Sequence, residues 1–331
     1  MQNQSISVLA LGNWGTALAN HLSQRGHNVI AWGHEDSIIS AINQTHRNPK
    51  SFSEVELEPS LHATSSLEEA LQAEILIMAF PASALGKVVP KLCVRPGTIV
   101  VSVIKGFEEG ALLTPLQYAE QVLGNRARYA VLSGPSFATD IIHGKPASVV
   151  VASKDEATAK CVADLFAGGV LRVYTSTDPI GVEIGGAVKN VIALAVGICD
   201  GMRLGDSARA GLITRGLAEM IRLGTALGAD PRTLTGLSGL GDLVMTATCD
   251  TSRNRSAGLR LGQGEKLSSI LREIRSVVEG VHSTPLVLEL AKRCNVEMPI
   301  TLQVARVLAE ETSAPDAARA LISRPMRREL E

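Results

Sequence analysis

Four short runs in the first third of the chain, Ile6–Leu11, Asn28–Trp32, Glu74–Phe80 and Thr98–Ile104, are apolar at nearly every position. Strands read this way when both of their faces are covered, whereas a half-exposed strand alternates. Between the runs lie helical patterns at Ala17–Gln24, closed by Gly26, and at Leu67–Leu71 and Ala84–Leu92. This alternation predicts an α/β fold with a parallel, doubly wound sheet. Later strands are expected at Arg128–Leu132, Ser148–Ala152 and Leu171–Tyr174. After Asp178-Pro179 no convincing strand follows. Helical windows run at Ile180–Met202, Ala208–Leu227, Leu267–Arg272, Thr284–Cys294 and Ile300–Glu310. The expected organisation is therefore an α/β domain over residues 1–179 and an all-helical domain over 180–331. Residues 43–62 are polar and patternless, and are expected to form a surface loop.

Charge and composition exclude several function classes. The 331 residues carry 32 Lys+Arg and 33 Asp+Glu, a net charge of −1, so bulk electrostatic binding of nucleic acid is not expected. Nor is an anionic membrane an expected partner. A 45% hydrophobic content excludes intrinsic disorder. The cysteines Cys93, Cys161, Cys199, Cys249 and Cys294 are odd in number and far apart, with no CxxC. No metal site or disulfide framework is indicated, and buried thiols in a reducing cytosol are the simplest account. The N-terminus has neither the basic region nor the apolar stretch of a signal peptide. The most apolar helical stretch, Val188–Ile198, is too short to span a bilayer. A cytoplasmic protein is expected.

The first strand runs into Ala10-Leu11-Gly12-Asn13-Trp14-Gly15-Thr16-Ala17, a G-x-G-x-x-G fingerprint whose first glycine is replaced by Ala10. The first position serves a tight turn, the second lets backbone approach a pyrophosphate, and the third lets helix pack on strand. The following helix start offers N–H groups and a positive dipole end to phosphate. A glycine turn without ligand is the plainer alternative. Ala10 is expected at negative φ, in a turn slightly wider than usual. The second strand ends Trp32-Gly33-His34, with no acid at its tip for a ribose 2′-OH. That tolerates a 2′-phosphate, to which His34 can donate, unless Glu35 swings in. NADP or NAD is the cofactor reading.

Other candidates fall at strand ends and helix starts, where open α/β sheets bind ligands. Lys105-Gly106 follows one strand, and Ser133-Gly134-Pro135-Ser136-Phe137-Ala138 follows another. The alternatives are a solvated lysine and a plain helix cap. In the second half, Lys189 and Asn190 interrupt an otherwise apolar helix. A lysine there must snorkel, pair or work, and an ion pair with Glu183 or Asp242 is the structural alternative. Gly236-Leu237-Ser238-Gly239-Leu240-Gly241 leads to Asp242, as a site or as a helix–helix turn. Ser252-Arg253-Asn254-Arg255 offers a planar fork suited to phosphate, or else a basic helix start.

Together these segments resemble the bacterial NAD(P)-dependent glycerol-3-phosphate dehydrogenase family. The resemblance is strongest over Gly181–Gly262 and extends to Trp14–Ala19, Ser133–Ala138 and Glu279-Gly280. It implies a Rossmann domain followed by a helical domain, with the active site between them. It implies reduction of dihydroxyacetone phosphate to sn-glycerol 3-phosphate by NADPH or NADH, feeding phospholipid synthesis. By motif, Lys189 resembles the family's proton donor. Lys105, Gly134, Ser136, Asp242, Ser252, Arg253 and Asn254 resemble substrate contacts, with Arg253 and Asn254 on phosphate. Gly12, Asn13, Trp14, His34, Lys105, Ala138, Arg253, Val277 and Glu279 resemble cofactor contacts. No metal is implied, and a homodimer is compatible with the chain.

Two departures stand out. Ala10 replaces the first glycine, and Pro49–Glu58 lacks the family's Tyr-Leu-Pro-Gly pattern. A related β-hydroxy acid or sugar-phosphate dehydrogenase would share the plan. A nucleotide-sensing protein without chemistry would share the sheet, but it would not need a buried proton donor.

Overall fold

The computed structural model describes residues 4–274, 277–326 and 328–329. The chain divides into two compact units, Met1–Glu183 and Ile184–Glu331. In the first, the strands β1 (Ser5–Leu9), β2 (Asn28–Trp32), β3 (His62–Thr64), β4 (Ile75–Met78), β5 (Ile99–Ser102), β6 (Arg128–Ser133), β7 (Ala147–Ala152) and β8 (Leu171–Ser176) form one sheet. Their spatial order is 3-2-1-4-5-6-7-8. β1 to β6 run parallel, β7 is antiparallel to β6, and β8 is parallel to β7. Order reverses between β1 and β4, which makes the switch point where doubly wound sheets bind ligands.

The apolar runs are explained by burial on both sides. Successive strand residues point to opposite faces. Ile75 and Ile77 of β4 join the cluster that holds Leu18 and Leu22 of helix Asn13–Gln24 and Phe166 of helix Glu156–Phe166. Leu76 and Met78 join the opposite cluster, with Ala119 of helix Pro115–Leu123.

The patternless stretch 43–62 is corrected. It holds the end of helix Asp36–Thr45 and the first residue of β3. That helix buries only Ile38 and Ile42, and β3 is three residues long, so neither element leaves a strong periodic signal.

Among the described residues no strand follows Ser176. Helix Pro179–Gly201 is 23 residues long, so the expectation of a segment too short to span a bilayer is also corrected. Its apolar window is entirely buried inside the protein. Inside the second unit it crosses helix Arg253–Gly262 glycine to glycine. A Cβ on Gly197 would meet the Arg255 carbonyl oxygen at 2.2 Å, and one on Gly258 would meet the Leu194 oxygen at 2.2 Å. Gly201 and Gly262 repeat the arrangement one turn on, with Cβ approaches of 2.1 and 2.2 Å to backbone oxygens. Backbone thus packs on backbone with no side chain between.

Two buried glutamates finish helices that begin with proline. Glu219 accepts N–H bonds from Ile300 at 2.5 Å and Thr301 at 3.1 Å, at the start of helix Pro299–Leu308. In the first unit, Glu183 accepts the Leu116 N–H at 2.8 Å at the start of helix Pro115–Leu123. Burial pushes the Glu183 carboxyl up to about 8, against the bonds from Thr114 and Leu116. Glu120 adds to the rise and Lys154 opposes it.

A raised folded-state pKa means that the native state holds its proton more tightly than the unfolded chain does. The resulting stability is complete below the ordinary glutamate range and is lost as pH rises towards 8. Chemical denaturation from pH 5 to 8 should show wild type losing on the order of 4 kcal/mol relative to Glu183→Gln, whose amide does not titrate. Parallel pH profiles for the two proteins would refute the assignment.

Candidate active site

At the dinucleotide fingerprint, β1 ends at Leu9 and helix Asn13–Gln24 begins after Gly12. Gly12 gives the helix no side-chain cap, and the first turn carries no acid. The first amides of the helix therefore remain available to an anion. A Cβ on Gly12 would meet nothing within 4 Å, so open space lies over the turn. A Cβ on Gly15 would lie 2.0 Å from the Ala10 carbonyl oxygen, and only glycine fits there. This geometry suits a pyrophosphate, as the fingerprint requires. Gly12 and Asn13 are exposed, and Trp14 packs against the cluster beneath. Ala138, at the start of helix Ala138–Ile142, packs against the same cluster.

Ala10 does not take the negative φ expected of it. Its φ is +127°. Its N–H points to the Trp32 oxygen at 3.0 Å and the Val8 oxygen at 3.3 Å. The turn keeps the glycine conformation without the glycine, because Gly15 must pass under the Ala10 carbonyl.

The segment after helix Asp36–Thr45 is tied to this turn, which the sequence did not reveal. Asn48, fully buried, donates to the Leu11 oxygen at 3.0 Å and to Thr16 Oγ1 at 2.9 Å. Ser51 Oγ donates to Asn13 Oδ1 at 2.7 Å. His34 is exposed, and its ring meets the Trp32 ring edge-on with centroids 4.3 Å apart. Lys105, Gly134 and Ser136 are brought together elsewhere on the first unit. Lys105 Nζ and Ser136 Oγ both donate to the Gly134 oxygen, at 3.4 and 3.1 Å. Gly134 has φ +138°, and a Cβ there would crowd the Ser148 oxygen at 3.0 Å.

In the second unit Lys189 is 5% exposed and Asp242 is 0% exposed. Lys189 Nζ donates to Asp242 Oδ1 at 2.8 Å and to Thr246 Oγ1 at 2.6 Å. Thr246 also bonds Asp242 Oδ1 at 3.2 Å, which closes a triangle. Of the two candidate partners for Lys189, the structure pairs it with Asp242, while Glu183 serves Leu116. The glycine-rich segment before Asp242 is a π turn, Leu237–Gly241. Its tightness comes from neighbouring backbone: a Cβ on Gly239 would lie 1.9 Å from the Leu234 oxygen. Thr246 was missed by sequence reasoning, although its place one turn after Asp242 was a usable signal.

Beside this triangle, Asn254 Nδ2 donates to Asn190 Oδ1 at 2.9 Å, and Asn254 Oδ1 accepts the Gly280 N–H at 2.9 Å. Three helices are thereby joined through one amide. Ser252 caps helix Arg253–Gly262 by accepting the Arg255 N–H at 3.2 Å. Arg255 is tied to Asp200 and Asp250, whereas Arg253 is exposed and forms no ion pair among the described residues. Burial raises the Glu279 carboxyl, opposed by the charges of Arg253 and His282. Val277 lies two residues before Glu279 and is 36% exposed. Among the described residues no cluster of metal-ligating side chains occurs.

Comparison with known proteins bears on the same segments. Residues 5–159 match the family described as NAD-dependent glycerol-3-phosphate dehydrogenase N-terminus, and residues 178–319 match its C-terminus counterpart. A glycerol-3-phosphate dehydrogenase (NAD(P)+) of Geobacter sulfurreducens is 45% identical over 332 residues, covering 99% of both chains. One from Rhodospirillum rubrum is 46% identical over 325 residues, covering 97% of this chain and 93% of its own. The crystal structure of glycerol-3-phosphate dehydrogenase from Coxiella burnetii superposes with a TM-score of 0.93 at 35% identity, over 97% of this chain and 99% of that one.

The strain at Ala10 is measurable. Backbone held in a region that side chains avoid costs about 1–3 kcal/mol. Glycine removes that cost but frees the unfolded chain by roughly 0.5–1 kcal/mol. Ala10→Gly should therefore raise the urea midpoint, by a net gain of about 1 kcal/mol. A lower midpoint would show that the alanine is unstrained.

Proposed function

The chain belongs to the NAD-dependent glycerol-3-phosphate dehydrogenase family, and on that premise we propose that it reduces dihydroxyacetone phosphate to sn-glycerol 3-phosphate with NADPH or NADH. The observation that carries the chemistry is the buried triangle of Lys189, Asp242 and Thr246. A bound dinucleotide would supply hydride chemistry at the substrate carbonyl carbon. The carbonyl oxygen then gains negative charge, and a lysinium beside it stabilises that charge and donates the proton. Asp242 keeps Lys189 protonated and aimed, because an unpaired ammonium at this depth would lose its proton. Thr246 fixes the rotamers of both.

Arg253 is the candidate phosphate anchor, since its neighbour Arg255 is already committed to two aspartates. Asn254 spends its carbonyl on Gly280 and one amide hydrogen on Asn190, so a second amide hydrogen remains for the phosphate. Gly134, Ser136, Lys105 and Ser252 are proposed as further substrate contacts. Gly12, Asn13, Trp14, His34, Lys105 and Ala138 are proposed to hold the dinucleotide, with Arg253, Val277 and Glu279 from the second unit. Fixing a small substrate by its phosphate lowers the barrier by orientation. A cytoplasmic enzyme that supplies phospholipid synthesis, working as a homodimer, completes the proposal. All five thiols are free, which suits that compartment, but the expectation that they are buried is corrected: only Cys199 is buried and Cys93 is exposed.

Oxidation of NADPH on adding dihydroxyacetone phosphate tests the whole reading, and its absence would end it. Lys189→Ala should lower kcat by about 10²–10⁴, as expected for the loss of a general acid, with dinucleotide affinity little changed. Near wild-type turnover in that variant would remove Lys189 from the chemistry. Arg253→Ala should cost about 1.5–3 kcal/mol in kcat/KM for dihydroxyacetone phosphate, the range for a hydrogen bond to a charged group. It should also narrow the gap to unphosphorylated dihydroxyacetone. Equal losses for both substrates would show that the guanidinium does not grip phosphate.

A further inference from the structure

The ribose-binding end of the fingerprint carries an ion pair that the resemblance does not assign. Glu35 stands at the N-cap of helix Asp36–Thr45 with extended backbone, yet its side chain makes no capping bond. The carboxylate pairs instead with the ammonium of Lys50, from the segment tied to the fingerprint turn. Lys50 is held there by its own backbone. Its N–H and that of Ser51 both donate to Asn48 Oδ1 at 3.1 Å, while Asn48 is locked to Leu11 and Thr16. The Lys50 and Glu35 side chains remain 63% and 49% exposed. A cation and an anion thus meet just beyond β2, where a doubly wound sheet contacts the ribose 2′ position.

We propose that Lys50 and Glu35 are the specificity-determining pair for the cofactor's 2′ position, with Lys50 binding a 2′-phosphate and Glu35 a free 2′-OH. The inference rests on the dinucleotide reading given above. A lone carboxylate at this point would repel a 2′-phosphate, and a lone ammonium would leave a 2′-OH without a strong acceptor. An exposed ion pair is weakly held, so exchanging one partner for ligand costs little, and the released partner is left to solvent. The pair accounts for a strand tip that lacks the usual acid in a chain whose relatives are named for both cofactors. His34, the residue before Glu35 in the sequence, is the rival donor.

Calorimetric titration with 2′,5′-ADP and with 5′-ADP separates these contributions without turnover. Lys50→Ala should weaken 2′,5′-ADP about tenfold, or ~1.4 kcal/mol, and change 5′-ADP less than twofold. Lys50→Arg should restore most of the loss. Glu35→Gln should strengthen 2′,5′-ADP relative to 5′-ADP. The preference of wild type for 2′,5′-ADP should fall with added salt, as exposed charge pairs are screened. Equal losses for both probes in Lys50→Ala, no loss for either, or a loss confined to His34→Ala would overturn the proposal. If wild type bound neither probe, the dinucleotide reading itself would fall and take this inference with it.

Discussion

The second unit is organised by the contact of two helix backbones with no side chain between them. Gly197 and Gly201 on helix Pro179–Gly201 face Gly258 and Gly262 on helix Arg253–Gly262. Small residues let helices approach closely, an arrangement familiar from membrane interiors but equally available in a protein core. Here the approach is what allows two short amides to meet. Asn190 and Asn254 reach each other at 2.9 Å because their helices are nearly in contact one to two turns away. The same amide orients Gly280 and so the start of the helix that carries Glu279.

Pairing explains how a lysine survives in so apolar a helix. Burying a charge is costly unless it is paired and hydrogen-bonded. Lys189 meets both conditions through Asp242 and Thr246. Replacing such a pair by apolar residues is often neutral or stabilising in other proteins, so stability alone does not explain its presence. The general-acid role proposed for Lys189 would account for it, because such a group must be held rigid and shielded from competing water. The glutamates Glu183 and Glu219 show the contrasting case. They are equally buried, but their oxygens are spent on helix amides, and they are architectural.

Much of this was legible before any coordinates. The strands announced themselves because both faces are covered, as the alternating membership of Ile75, Leu76, Ile77 and Met78 in two opposite clusters shows. Lys189 was conspicuous by its apolar neighbours, and Asp242 by the glycines before it. What stayed hidden was tertiary in origin. Nothing local marks Asn48 as buried, since its partners Leu11 and Thr16 lie more than 30 residues away. β3 is too short to leave a period. The conformation of Ala10 was misjudged because intrinsic preference was weighed without the constraint imposed by Gly15. Thr246 and the spacing of Gly197, Gly201, Gly258 and Gly262 were readable, and required only a search at the helical interval.

The anchoring of Asn48 bears on which changes in length this chain can absorb. Irregular surface segments ordinarily accept an extra or missing residue, because lengthening a loop adds little closure entropy. Between Asn48 and Ser51 that freedom is gone. Asn48 is bonded to the backbone of the fingerprint turn, and Ser51 to Asn13 within it. A single inserted residue would put these two anchors out of register with each other. Insertions and deletions in this stretch should therefore behave like those inside a strand, although most of it has no regular secondary structure. The boundary between framework and loop in this protein is drawn by side-chain anchorage as much as by hydrogen-bonded periodicity.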